Sequence, residues 1–303
     1  MTRRSLTLIA MLAALIQLGA AATSQADTLT RVRETGKLRL GHRADARPFS
    51  YLDESGKAAG YSLALCEKVA DAVKTELGIR ELGVEYVKVD TEDRFDAIEA
   101  RKIDLLCGAA TVTLERRKKV AFSIPIFPSG ISALVRVDAP ERFRALLEGR
   151  DPPYRPTWRA SMAQILDKRV LSAQRGTTAA AWLVKRRAQL EVNAEIAEVA
   201  SYQEGIQRVL VRTSDAFFAD RATLLDTVAR SSSAGDLQVL DREFTYEPIA
   251  LVSARGDEDF RLLVDRTLSG LYRSGQILDI YERYFGKPDE NAKTFFRFAT
   301  LPE

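Results

Sequence analysis

The feature that most constrains this fold is the alternation of short β-type apolar runs with longer segments of helical periodicity. Within residues 62–77, apolar side chains recur every three or four positions, which predicts an amphipathic helix. Residues 84–89 and 249–252 are short and rich in β-branched side chains, which predicts strands. The run 260–285 predicts a long helical region interrupted at Gly275, and after Gly286 the pattern gives way to a polar, irregular tail. Because this alternation continues through most of the chain, we expect an α/β fold with mixed, mostly parallel sheets flanked by helices.

The length of the chain favours two lobes over one. After removal of an N-terminal signal, the remaining 277 residues exceed what one compact core usually organises. The βαβ-rich pattern occurs twice, so we expect lobe 1 to comprise 27–130 and 247–303, and lobe 2 to comprise 131–246, with two crossover hinges. A charged excursion at 138–168 sustains no hydrophobic period and predicts a long insertion with one short helix. This insertion is either a tolerated surface loop or a partner-binding loop, and the sequence does not decide between them.

The first 26 residues have the three-part layout of a secretory signal peptide. Two arginines precede an apolar stretch at 6–22, and 24–26 form a small-x-small cleavage signal. We expect export across the inner membrane to the periplasm, with cleavage after Ala26; an uncleaved anchor is the alternative. The first cysteine is Cys66, so a lipid-anchored form is not expected.

Composition argues against several classes of function. The net charge of +3 falls to +1 once the two signal arginines are removed, which gives no reason to expect nucleic acid as a partner. With His42 as the lone histidine and no CxxC spacing, we expect no metal and no cofactor. Cys66 and Cys107 either form one disulfide in an oxidising compartment or remain buried thiols, and the sequence leaves both open.

Four segments are predicted to lie where open α/β sheets bind ligands, at the carboxyl ends of strands. They are residues 41–47, 108–116, 176–178 and Asp220. Glycines let backbone amides approach a ligand, and a helix N-terminus favours an anion. Arg116 falls in the first turn of a predicted helix, where a cation opposes the helix dipole. A bound carboxylate would explain that placement; a solvated arginine within a basic run is the alternative.

In their order and spacing, these segments resemble the bacterial extracellular solute-binding proteins of family 3, the amino-acid receptors of ABC importers. The similarity covers about 36–136 and 168–286 and is closest to the glutamate/aspartate-binding subgroup. It implies the two-lobed fold of type II periplasmic binding proteins, a monomer, and an inner-membrane ABC permease as partner. The matching motifs are Gly41-His42-Arg43, Pro48-Phe49-Ser50-Tyr51, Gly60-Tyr61-Ser62, Cys107-Gly108, Thr111, Glu115-Arg116, Ala121-Phe122-Ser123, Gly176-Thr177-Thr178, residues 217–220 and Tyr281-Glu282-Arg283-Tyr284-Phe285-Gly286.

The resemblance implies how the α-carboxylate of an amino acid would be held. Arg116 and the hydroxyl of Thr111 are similar to the pair that grips this group in the family. A planar guanidinium suits the task because it can make two parallel hydrogen bonds to one carboxylate. Thr177 and Thr178, at a helix N-terminus, would close on the same carboxylate from lobe 2.

The resemblance also implies how the rest of the ligand would be recognised. Asp220 would accept the α-ammonium, which the main-chain carbonyl near Ala109 would share. Arg43 would pair with a side-chain carboxylate and would repel a cationic ligand. Tyr61 would be the aromatic wall of the cleft, with ordinary core packing as its alternative.

Two departures from the family leave the ligand open among glutamate, aspartate and an amide analogue. Ile124 follows Ser123 where the family usually has an acid. The acidic-ligand subgroup also has a histidine in the strand-to-helix segment of lobe 2, where this chain has Tyr202, Gln203 or Glu204.

Two other functions compete with that of a transport receptor. One is a cyclohexadienyl-dehydratase-like enzyme on the same fold, in which Asp220 or Glu204 would supply the general acid. The other is a periplasmic sensor subunit. No Ser/His/Asp set can be assembled around the single histidine His42, and the sequence has no P-loop, so we expect a binding protein and not an enzyme.

Overall fold

The computed structural model of the protein describes residues 27–150 and 162–303. Its strands form two five-stranded sheets, one in each lobe, and a small three-stranded sheet. The predicted signal peptide and residues 151–161 of the predicted insertion lie outside the described residues. Within the described ranges, no helix combines the length and apolar character needed to cross a membrane.

The chain begins in lobe 1. In order, this part contains α1 (Thr28–Thr35), β1 (Lys37–His42), β2 (Asp45–Ala46), β3 (Ser50–Leu52), β4 (Ala58–Ala59), α2 (Tyr61–Leu77), β5 (Gly83–Lys88), α3 (Arg94–Glu99), β6 (Leu105–Leu106), a 3-10 turn (Arg116–Lys118) and β7 (Val120–Phe127).

Lobe 2 follows, and then the chain returns to lobe 1. Lobe 2 contains β8 (Ile131–Arg136), α4 (Glu141–Glu148), α5 (Met162–Leu166), β9 (Val170–Gln174), α6 (Thr178–Leu190), β10 (Glu195–Val199), α7 (Tyr202–Leu210), β11 (Ala216–Asp220), α8 (Arg221–Ala229), a 3-10 turn (Ala234–Asp236) and β12 (Leu237–Val239). The returning chain forms β13 (Ile249–Ala254), α9 (Glu258–Ser274), α10 (Gln276–Phe285) and α11 (Glu290–Ala299).

Each large sheet is mixed. The strand order is β5-β1-β6-β13-β7 in lobe 1 and β10-β9-β11-β8-β12 in lobe 2. In lobe 1, β1 runs parallel to β5 and β6, whereas β13 is antiparallel to β6 and β7. In lobe 2, β9 runs parallel to β10 and β11, and β8 is antiparallel to β11 and β12. The chain passes between the two large sheets at 128–130 and at 240–248.

Aromatic side chains fill one end of the lobe 1 core, and Tyr61 lies among them. Its ring is fully buried, with ring centroids 5.1 Å from Phe285 and 6.3 Å from Phe127, and its hydroxyl donates to the carbonyl of Ile126 at 2.8 Å. The expectation that Tyr61 forms a wall of the cleft is therefore wrong. Tyr61 begins α2, and a buried aromatic ring whose hydroxyl has a partner is a stable core residue.

Cys66 and Cys107 form a disulfide, which answers the question that the sequence left open. The sulfurs are 2.14 Å apart and the Cα atoms 6.1 Å apart. The bond joins α2 to the residue that follows β6. Because Ser62 also donates to the carbonyl of Gly108 at 3.1 Å, α2 fixes the start of the loop at 108–116.

Three segments differ from the sequence-based prediction. The excursion at 138–168, expected to contain one short helix, contains two among its described residues, α4 and α5. The helix expected after Thr113 is only the 3-10 turn Arg116–Lys118, followed by the unpredicted strand β7. Arg116 therefore does not oppose an α-helix dipole. The tail after Gly286, expected to be irregular, forms α11, which Asp289 caps and which Phe296 anchors in the core.

Two glycines inside helices allow a matched test of the packing. At Gly205, in α7, a Cβ would overlap the buried ring of Phe217; at Gly270, in α9, a Cβ would meet nothing within 4 Å. We expect Gly205→Ala to lower the stability by about 1–3 kcal/mol through overpacking. Gly270→Ala should raise it by up to about 1 kcal/mol, because alanine has the higher helix propensity. Thermal and denaturant unfolding followed by circular dichroism would measure both; equal effects would contradict the packing described for α7.

Candidate functional site

The two lobes contact each other through the loops at the carboxyl ends of their parallel strands. Arg94 donates from Nη2 to the carbonyl of Gly176 at 3.3 Å, and Gln174 donates from Nε2 to Oδ2 of Asp45 at 3.3 Å. An ion pair between Arg47 and Asp226, at 3.5 Å, crosses the same boundary. These contacts define a cleft between the lobes, where the sequence placed its candidate segments.

One end of the cleft gathers Arg116, Thr111 and Thr178 around the carboxylate of Glu247. The hydroxyls of Thr111 and Thr178 donate to the same Glu247 oxygen, Oε2, at 3.3 and 2.5 Å. Arg116 donates from Nη1 to the carbonyl of Thr111 at 2.9 Å. Burial lowers the pKa of Arg116, and the carboxylates of Glu247 and Asp220 oppose that shift. The structure thus brings together, from both lobes, three residues that the sequence assigned to one carboxylate.

Arg43 is buried and already has a carboxylate partner. Its Nε and Nη2 donate to Oδ1 of Asp45 at 3.0 and 2.7 Å, and its backbone N–H donates to Ser50. Asp45 in turn accepts the hydrogen bond from Gln174 of lobe 2. Arg43, which the resemblance assigns to the side-chain carboxylate of the ligand, therefore lies at the boundary of the cleft and is ion-paired with Asp45. Its contact with a ligand remains a prediction.

Arg94 is the cation that the sequence reading missed. It is 3% exposed, and apart from the bond to Gly176 its Nε and Nη1 have no hydrogen-bond partner among the described residues. Burial lowers its pKa to about 9, with Arg116 and Arg43 acting in the same direction. The guanidinium is still protonated at neutral pH. A buried, incompletely bonded cation of this kind is stabilised by an incoming anion.

Asp220 ends β11 and faces the cations across the cleft. Its Oδ1 accepts a hydrogen bond from the hydroxyl of Ser129 at 2.8 Å. Burial raises its pKa to about 6, although the Ser129 hydrogen bond and the charges of Arg116 and Arg43 act the other way. Glu247 adds to the increase. An acid in this position can accept a hydrogen bond from an ammonium group once it is ionised.

Thr177 caps a helix of lobe 2, and Ala109 lies in a loop of lobe 1. The Thr177 hydroxyl accepts from the N–H of Ala180 at 3.3 Å and donates to the carbonyl of Gln174 at 2.6 Å, so it caps α6. Ala109 lies, half-buried, in the loop between Cys107 and Thr111. Contact of either residue with a ligand remains a prediction.

A signal for Arg94 was present in the sequence. It is the first residue of α3, where a cation is disfavoured by the helix dipole, the same argument that singled out Arg116. Glu247 carried no such signal, because its place depends on long-range pairing: its N–H donates to the carbonyl of Ser129 at 2.6 Å. Tyr202, in the segment where the subgroup has histidine, is buried, and burial raises its pKa well above its usual range.

Comparison with known proteins identifies what this cleft is similar to. A profile of the bacterial extracellular solute-binding proteins, family 3, matches residues 38–287. The L-glutamate/L-aspartate-binding protein of Pseudomonas aeruginosa is 30% identical over 94% of this chain and 88% of its own length.

Solved structures have the same fold. A mutant arginine-binding protein of T. maritima, 23% identical, superposes with a TM-score of 0.69 over 86% of this chain and 99% of its own. The ancestral amino acid-binding protein AncCDT-1, described as a precursor of cyclohexadienyl dehydratase, is 25% identical with a TM-score of 0.68, over 86% and 100%. The predicted two-lobed fold of type II periplasmic binding proteins is confirmed.

The incomplete bonding of Arg94 has a measurable consequence for stability. We expect Arg94→Met to raise the thermal unfolding midpoint of the ligand-free protein, because an unsatisfied buried group costs about 1–3 kcal/mol. Arg39→Met is the contrast: Arg39 pairs with the buried carboxylate of Asp104 at 2.8 Å, so its loss should lower the midpoint. Differential scanning calorimetry would measure both. A lower midpoint for Arg94→Met would mean that its charge is already compensated.

Proposed function

We propose that this chain, which belongs to the bacterial extracellular solute-binding proteins of family 3, binds glutamate or aspartate in the periplasm and delivers it to an ABC permease. Arg94 is the observation that supports this most directly, because its buried guanidinium has two nitrogens without a partner among the described residues. A second carboxylate on the ligand, beyond the one that every amino acid carries, would satisfy it.

The distribution of groups supports a ligand with two carboxylates and one ammonium. Arg116, Thr111 and Thr178 suit the α-carboxylate, and Asp220 suits the ammonium. Arg94 and Arg43 lie in one electrostatic neighbourhood, since both affect the pKa of Tyr202. A cationic side chain would there meet two guanidinium groups in a partly desolvated site, which disfavours lysine and arginine as ligands.

Binding by hinged closure follows from which lobe supplies each group. Thr111, Arg116 and Arg94 belong to lobe 1, whereas Thr178 and Asp220 belong to lobe 2. A ligand that contacts both sets favours the closed arrangement, because it gains the second set of contacts only when the lobes meet. The passages at 128–130 and 240–248 are the segments about which the lobes would turn.

One observation favours a second candidate, a dehydratase-like enzyme. The pKa of about 6 for Asp220 is within the range in which a carboxylic acid can act as a general acid near neutral pH. A binding protein would leave its ligand chemically unchanged, so incubation with a cyclohexadienyl substrate and chromatography of the products separates the two functions.

The test of the proposed function is isothermal titration of the ligand-free mature protein with the twenty amino acids. We expect saturable heat with glutamate or aspartate and none with lysine or arginine. Arg116→Ala should abolish binding of every amino acid, because all share the α-carboxylate. Arg94→Met should weaken acidic ligands far more than neutral ones. Arg117→Ala, an exposed neighbour of Arg116, is the control that should bind normally. Heat from no amino acid would contradict the proposal.

The raised pKa of Asp220 predicts how binding depends on pH. Below about pH 6 the carboxyl takes up a proton, which it must release before it can accept the ammonium. The affinity for the acidic amino acid should therefore fall as the pH decreases from 7 to 5, approaching tenfold per unit. Titrations at constant ionic strength would measure this, and an affinity that rises on acidification would exclude Asp220 as the ammonium acceptor.

A further inference from the structure

Glu247 holds the position that the proposed function gives to the α-carboxylate of the ligand. Its Oε2 accepts hydrogen bonds from Thr111 of lobe 1 and Thr178 of lobe 2, and its charge lies close enough to Arg116 to affect the pKa of that guanidinium. A threonine hydroxyl has one hydrogen to donate. A ligand carboxylate can therefore accept from both hydroxyls only after Glu247 has left.

The backbone holds Glu247 in this place. Its N–H donates to the carbonyl of Ser129, in the first passage between the lobes. On the other side, Val112 donates to the carbonyl of Pro248 at 2.9 Å, and Ala250 donates to the carbonyl of Ala110 at 3.1 Å. The residues after Glu247 thus pair with the loop that carries Thr111. The backbone of Glu247 is therefore attached to the same part of lobe 1 as Thr111, whereas its contact with Thr178 crosses to lobe 2.

Asp45 has the same relation to Arg43. Its Oδ1 accepts from Nε and Nη2 of Arg43, the edge of a guanidinium that a ligand carboxylate would use in a bidentate pair. Its Oδ2 accepts from Gln174 of lobe 2. Both internal carboxylates therefore connect a group of lobe 1 to a group of lobe 2. Arg94, by contrast, has no carboxylate partner among the described residues.

We propose that Glu247 and Asp45 are internal competitors of the ligand, and that they determine, respectively, how tightly and how selectively the cleft binds it. This rests on the proposed function. Every amino acid must displace Glu247 with its α-carboxylate, so Glu247 lowers the affinity for all of them alike. Asp45 neutralises Arg43, so it reduces the preference for an acidic side chain over its amide without affecting the α-carboxylate end.

Two isosteric variants test the two roles separately by isothermal titration with glutamate, aspartate and glutamine. We expect Glu247→Gln to bind all three about tenfold more tightly, because the neutral amide competes weakly for Arg116. We expect Asp45→Asn to increase the affinity for glutamate and aspartate about tenfold while leaving glutamine unchanged. Glu34→Gln, at an exposed position on α1 and outside both passages, is the control and should match the wild type.

Each contrary result has one meaning. Unchanged or weaker binding by Glu247→Gln would overturn the role of Glu247, and weaker binding would make it a direct partner of the ligand ammonium. A parallel change for glutamate and glutamine in Asp45→Asn would overturn the role of Asp45. If no form binds any amino acid although all are folded, the proposed function fails instead.

A second measurement does not depend on the identity of the ligand. Because both carboxylates join the lobes, the ligand-stripped wild type should be compact in small-angle X-ray scattering. The double variant Glu247→Ala with Asp45→Ala should have a larger radius of gyration. Equal radii for the two proteins would overturn the inference, whatever the ligand proves to be.

Discussion

Burial of three guanidinium groups between two lobes is the constraint on which the cleft depends. A cation withdrawn from water is destabilising unless a carboxylate or several acceptors replace its hydration. Arg43 meets that requirement with Asp45, and Arg116 with a carbonyl and the nearby charges of Glu247 and Asp220. Arg94 meets it least. The three arginines thus differ in how completely their charges are compensated. This is what a binding site requires, whereas in a structural ion-pair network every charge has a partner.

The same constraint relates the recognition of ligand to the motion of the lobes. Lobe 2 supplies the Gly176 carbonyl that is bonded to Arg94 and the Asp220 charge near Arg116, whereas Arg43 and its partner Asp45 both belong to lobe 1. Opening of the cleft, as proposed, would expose the cations to water and remove only the partners in lobe 2. Under the proposed hinged closure, the open form would gain hydration and the closed form would gain hydrogen bonds. Opposed contributions of this kind would leave a small free-energy difference between the two forms, which an anion of modest affinity could shift.

Most helices and strands could be predicted from the local hydrophobic pattern. Those that were missed depend on pairing with segments far away in sequence. The helix predicted at 62–77 is observed as Tyr61–Leu77, and the break at Gly275 separates α9 from α10 as the sequence indicated. In contrast, β7 and α11 were missed because their burial depends on strands and helices far away in sequence. Tyr61 was assigned to the cleft from a motif, but a motif does not specify which face of a helix is buried.

For the site, glycine-rich loops indicated the correct ends of the strands. Glu247 and Asp45 could not be found, since their roles depend on contacts between segments up to 136 residues apart.

The position of β13 has a consequence for the order in which the chain acquires its structure. Lobe 2 is one continuous segment, but the lobe 1 sheet takes β13 between β6 and β7, after all of lobe 2 has been made. Until residues 249–254 arrive, β6 and β7 each present an unpaired edge and the core beneath them is open to water. A chain that emerges from its N-terminus can thus complete its second lobe before its first. The late arrival of one strand keeps the first lobe unfinished, and with it the cleft, until nearly the whole polypeptide has emerged.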